Sequence, residues 1–181
     1  MNTAAIIEMA SALARRFEGF YPRPYLCPAQ IPTIGYGSTF YEDGIRVTLA
    51  DPPIDRARAE QLLQHELRGC VATVLRLCPG ADTEDRAAAL TDFCFNLGSG
   101  RLRSSTLRRR VNAGEWDQVP GELMKWTRGG GRVLPGLVAR RAAEAALTVS
   151  AAAAASTVSQ SGDIRPRQPL AWTCADRQAP G

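Results

Sequence analysis

Tyr21-Pro22-Arg23-Pro24-Tyr25-Leu26-Cys27-Pro28-Ala29-Gln30-Ile31-Pro32-Thr33-Ile34-Gly35-Tyr36-Gly37-Ser38 breaks a chain that otherwise reads as helical. Pro22, Pro24, Pro28 and Pro32 forbid a continuing helix, because each removes a backbone donor and fixes φ. β-branched and aromatic residues among Gly35, Gly37 and Gly44 then favour a small, irregular antiparallel ribbon reaching Val47. Upstream, Ile6, Ile7, Ala10, Leu13, Ala14 and Phe17 recur at helical spacing, so an amphipathic helix over 3–17 should end near Phe17–Gly19. Downstream, Asp55 to Leu77 carries the longest apolar stripe, through Leu62, Leu63, Leu67, Val71, Val74 and Leu75, and stops at Pro79-Gly80.

The remainder reads as closely spaced helices. Thr83 can cap one that runs to Gly98, and Ser104 or Ser105 can cap a short one to Val111. Glu115 to Trp126 predicts another, Gly129-Gly130-Gly131 a flexible loop, and Pro135 to Ala155 a last helix. The reading is α+β and mostly helical: a β lobe over about 20–50, a helical lobe over 55–155, and a cleft where they meet. Residues 156–181, with Pro166, Pro169, Pro180 and little apolar periodicity, are expected to be a disordered tail outside the 1–155 domain.

The 181 residues suffice for one ordinary core, and 45% hydrophobic with 22% charged residues excludes a wholly disordered or fibrous chain. No apolar stretch approaches membrane-spanning length. Glu8 interrupts the first apolar stretch and Arg15-Arg16 follow it, which is wrong for a signal peptide and predicts synthesis as a cytoplasmic protein. The lone His65 and the cysteines Cys27, Cys70, Cys78, Cys94 and Cys174 show no zinc spacing, so no metal or cofactor is expected and the thiols should be free. The net charge of +4 concentrates between Arg101 and Arg110, where it would attract an anionic polymer. Arginine content without aromatic interleaving or a recognition motif argues against a nucleic-acid partner.

Glu18 falls at the C-terminal end of the first helix, where the helix macrodipole disfavours a charged carboxylate and suits a general acid. Taken alone it could equally be a solvated helix-end residue, Thr33 an ordinary strand residue, and Cys27 a buried thiol.

Taken together, Glu18-Gly19, Tyr25-x-Cys27 and Thr33-Ile34-Gly35-Tyr36-Gly37 resemble the catalytic stretch of phage-type lysozymes, the endolysins of glycoside hydrolase family 24. There the pattern runs Glu-Gly, Tyr-x-Asp, Thr-Ile-Gly-x-Gly-His. Phe95-Asn96-Leu97-Gly98, Ser105-Thr106-Leu107, Asn112-Ala113-Gly114, Lys125-Trp126 and Pro135 to Glu144 follow in family order, so the resemblance spans about 5–150.

The resemblance implies a muramidase that cleaves the β-1,4 bond between N-acetylmuramic acid and N-acetylglucosamine in peptidoglycan, for host lysis. Glu18 falls on the general acid, and Thr33 on the threonine that helps to hold the attacking water. Phe95 and Thr106 fall near sugar-binding positions, where core packing and capping are alternative roles. Cys27 stands where the family has aspartate, and Ser38 replaces its histidine. Glycoside hydrolysis ordinarily uses two carboxylates, so Cys27 is read as base, nucleophile or passive filler. A catalytically weak or inactive wall-binding relative is the competing reading. A monomer is expected, acting on the periplasmic wall after a holin opens the membrane.

Overall fold

Asn2 starts the first helix by accepting hydrogen bonds from the amides of Ala4 and Ala5, which supplies the donors of the first turn with a partner. The structure, a computed structural model, describes residues 1–153, with side chains through residue 149. Helix α1 (Thr3–Glu18) buries Ile6, Ile7, Ala10 and Ala14, and it ends at Gly19, whose φ of 73° suits glycine.

Strands β1 (Tyr21–Leu26) and β2 (Pro32–Gly35) pair antiparallel, with Tyr21 opposite Gly35 and Tyr25 opposite Thr33. Between those pairs β1 bulges, at the segment where Pro22 and Pro24 have no N–H to offer the ladder. A bridge between Ile34 and Ser38 closes a tight turn, and a bridge between Phe40 and Arg46 begins a further small hairpin.

Helix α2 (Arg56–Leu77) is capped by Asp55, which accepts from the Arg58 amide, and it packs on β2. Close approach is possible because a Cβ on Gly35 would sit 3.1 Å from Cβ of Ala59. Helix α3 (Glu84–Leu97), capped by Thr83, is the centre of the fold: every residue from Ala87 to Leu97 is buried, against α1, α2 and α7. Between them, the Pro79-Gly80 turn rests on the end of α5 (Thr106–Asn112). Asn112 donates to the Leu77 carbonyl and accepts from the Gly80 amide.

Three expectations are corrected. The segment before Ser105 is itself helical, α4 (Ser99–Ser104), and Ser105 rather than Ser104 caps α5 by accepting from the Arg108 amide. The helix expected over Glu115–Trp126 shrinks to α6 (Val119–Met124), because Glu115 to Gln118 form hydrogen-bonded turns and Pro120 is favoured only in a first helical turn. The glycine-rich segment is no flexible loop. Strands β3 (Arg128–Gly129) and β4 (Arg132–Val133) form a hairpin whose turn uses positive φ at Gly130 and Gly131. Helix α7 (Pro135–Ala153) closes the described chain. The expected tail over 156–181 lies outside the described residues.

Cys27, Cys78 and Cys94 are buried, Cys70 is half-buried, and none of the four is in a disulfide. Among the described residues no helix is long and apolar enough to cross a membrane, and no group of side chains could hold a metal ion.

Candidate active site

Glu18 stands at the junction of α1 and the β ribbon, only 4% exposed. A buried carboxylate needs a partner, and α7 supplies one: Arg140 donates from Nη1 to Oε1 of Glu18 at 2.7 Å. The same guanidinium grips Asp92 of α3 with both remaining nitrogens, Nε to Oδ2 at 2.8 Å and Nη2 to Oδ1 at 2.7 Å. This bidentate fork fixes the plane of Arg140, so the nitrogen that meets Glu18 has a defined direction. One cation thus joins three helices beneath Glu18. Burial pushes Asp92 up, but Arg140 outweighs it and holds the carboxyl below its ordinary value.

A second buried set lies one step along α7. Arg141 donates to Asn96 at 2.7 Å and pairs with Glu144 at 2.8 Å. Burial raises Glu144 well above the usual carboxylate range, despite that pairing.

The β ribbon places the other two candidates. Tyr25 and Leu26 pair with Thr33 and Pro32, so Cys27 and Thr33 both lie at the end of the β1–β2 ladder. Each is 1% exposed. The Cys27 amide donates to the Ile31 carbonyl, its carbonyl accepts from Gln30, and the Thr33 hydroxyl donates to the Ile31 carbonyl at 2.9 Å. The turn that holds Cys27 therefore also orients Thr33.

A cleft of about 1070 Å³ opens in the same fold. Its walls come from the hairpin after β2 (Thr39 to Gly44), from α2 between His65 and Arg76, from Phe95 at the end of α3, and from α4. Glu18, Cys27 and Thr33 are not among the lining residues, so the cleft does not enclose the acid. Asp92 and Phe95 link the two on a single helix. Of the expected sugar contacts, Phe95 lines the cleft. Thr106 does not; it opens α5, half-buried, and its hydroxyl accepts from Arg109.

Sequence reasoning gave no role to Asp92 or Arg140. The available signal was charge in apolar company: Asp92 interrupts a run that is otherwise nearly all apolar, and Arg140-Arg141 break an alanine-rich helix.

Residues 15–144 match the family model for phage lysozyme, well over half of the chain. The chain belongs to the phage lysozyme family. The chain is 34% identical over 137 residues to an endolysin of Bacillus phage B103, covering 75% of this chain but 50% of that protein. Against an endolysin of Acyrthosiphon pisum secondary endosymbiont phage 1 the identity is 31% over 150 residues, 81% of this chain and 99% of the relative. The chain thus spans about half the length of the first of these relatives and nearly all of the second. In three dimensions it is similar to the endolysin from Escherichia coli O157:H7 phage FAHEc1, with a TM-score of 0.72 and 28% identity over 79% of this chain and 92% of that one. The lysozyme-like α+β arrangement is therefore shared.

Proposed function

We propose that this lysozyme is an endolysin-type muramidase that hydrolyses the β-1,4 bond between N-acetylmuramic acid and N-acetylglucosamine. The carrying observation is Glu18, buried on the Arg140–Asp92 fork, with Asp92 on the same helix as Phe95, which lines a cleft of a size to hold a glycan strand. In this reading Glu18 protonates the leaving glycosidic oxygen and Arg140 sets the direction of its carboxyl. Thr33 and Cys27, oriented by one turn, hold the attacking water on the ribbon side, and Cys27 accepts its proton or polarises it. Phe95 contacts sugar within the cleft.

The exposed Arg101, Arg103 and Arg109 belong to the basic cluster, whose charge holds the enzyme on its anionic wall polymer. The enzyme acts as a monomer, waits in the host cytoplasm, and reaches the wall when a holin permeabilises the membrane. One observation favours the competing reading of an inactive wall binder: a thiol stands where the family carries a carboxylate. Digestion of purified peptidoglycan separates the two. Release of reducing ends that is lost in Glu18→Gln supports the muramidase; saturable wall binding without reducing ends supports the binder.

A further inference from the structure

The hairpin that forms one cleft wall carries a feature that the catalytic reading does not use. Phe40 and Arg46 sit opposite each other, joined by the flanking hydrogen bonds from Val47 to Thr39 and from Tyr41 to Ile45. Across that pair the Arg46 guanidinium lies over the Phe40 ring, 4.6 Å from its centroid. Cross-strand partners are close enough to make this contact repeatedly rather than in passing. Among the described residues Arg46 has no ion pair, so the ring is its fixed neighbour.

The two faces of the ring are not equivalent. Phe40 is half-buried and lines the cleft, whereas exposed Arg46 does not line it. The cation covers one face of the ring, which leaves the other for a ligand in the cleft that Phe40 lines. A pyranose has one face made largely of C–H groups, which packs flat on an aromatic ring at the cost of little ordered water. Arginine held over one face opposes rotation of the ring out of its plane.

We propose that Phe40 is a sugar-stacking platform in the cleft and that Arg46 is a positioning residue which holds its plane. The proposal rests on the muramidase reading for the identity of the glycan. Its consequence is that glycan affinity depends on a flat ring at position 40, beyond the need for an apolar side chain.

The test measures equilibrium binding of purified, peptide-free glycan strands to full-length protein in a Glu18→Gln background, so that no strand is cut. Adding Phe40→Leu, which keeps apolar bulk but removes the ring, should weaken binding roughly 3- to 10-fold, and Phe40→Tyr should retain it. Arg46→Gln should weaken binding about 2- to 3-fold beside Phe40 and have no effect beside Leu at that position. Thermal midpoints of all variants should stay within about 3 °C of the background. Unchanged affinity in Phe40→Leu overturns the platform, as does equal weakening in Phe40→Tyr or a loss that tracks a fall in midpoint. An Arg46→Gln effect that persists without the ring overturns the positioning role. Wild-type protein that binds strands through Phe40 yet releases no reducing ends would count against the muramidase reading and leave the platform standing.

Discussion

Arg140 is 2% exposed and answers two carboxylates at once, so the energetic weight of the site falls on a residue that need not touch substrate. Arg140→Met would leave Glu18 and Asp92 buried without the guanidinium that hydrogen-bonds them both. We expect a loss of about 3–5 kcal/mol in urea unfolding, whereas Arg140→Lys should keep the charge but lose the fork and with it much of the activity. Glu18→Gln should retain the fold and lower turnover by roughly 2–4 decades, read as reducing-end release at equal folded concentration. At position 27, Cys27→Ala should remove most activity if the thiol takes part, and Cys27→Asp should restore it, because a carboxylate is ionised at neutral pH. Full activity in Cys27→Ala would make the thiol a passive filler. With a side chain only 1% exposed, alkylation should be slow unless the ribbon opens, so the substitutions are the sharper probe. Glu18, Cys27 and Thr33 could be singled out from sequence because their mutual spacing is local. The Arg140 fork could not, because it joins residues that only the helical packing brings together.

At the scale of elements, the segment between Leu77 and Glu84 turns on one glycine. A Cβ at Gly80 would come within 2.3 Å of the Val111 carbonyl oxygen and 3.0 Å of Cα of Asn112, which are backbone atoms with little room to yield. Gly80→Ala should therefore cost about 1–3 kcal/mol and separate the α2–α3 turn from α5, detectable as a lowered thermal midpoint. A midpoint within 1–2 °C of wild type would show that the turn relaxes freely. The long helices were legible because apolar spacing and cap residues agreed: Asp55, Thr83 and Gly98 stand where the helices start and stop. The stretch from Ser99 to Met124 was harder, because helices of one or two turns are decided by caps and tertiary contact rather than by periodicity. The hairpin at Gly129–Gly131 was misread for a related reason. Glycine signals conformational freedom in a sequence, but two successive positive-φ residues spend that freedom on a tight turn.

Across the whole molecule, the buried ionic set gives stability a pH signature. Asp92 titrates below its ordinary value in the folded state, so its contribution is complete above the unfolded value of about 3.9 and disappears as pH falls through the folded one. The thermal midpoint of the wild type should drop steeply below about pH 4. Asp92→Asn should start lower at pH 7 and fall less steeply in acid; parallel curves would remove Asp92 from the account. The Arg140 fork also has a temporal meaning. Its contacts to Asp92 and Glu18 cross 48 and 122 residues of sequence. A nascent chain that has not yet released α7 carries Glu18 without Arg140, so the fork forms only once that helix has emerged. In refolding from denaturant, helical signal should return before lytic activity, since the longest loop closes last. Supplying residues 135–153 as a separate peptide to a chain cut before Pro135 should recover activity in proportion to peptide occupancy, with the final helix behaving as a ligand that switches on the enzyme.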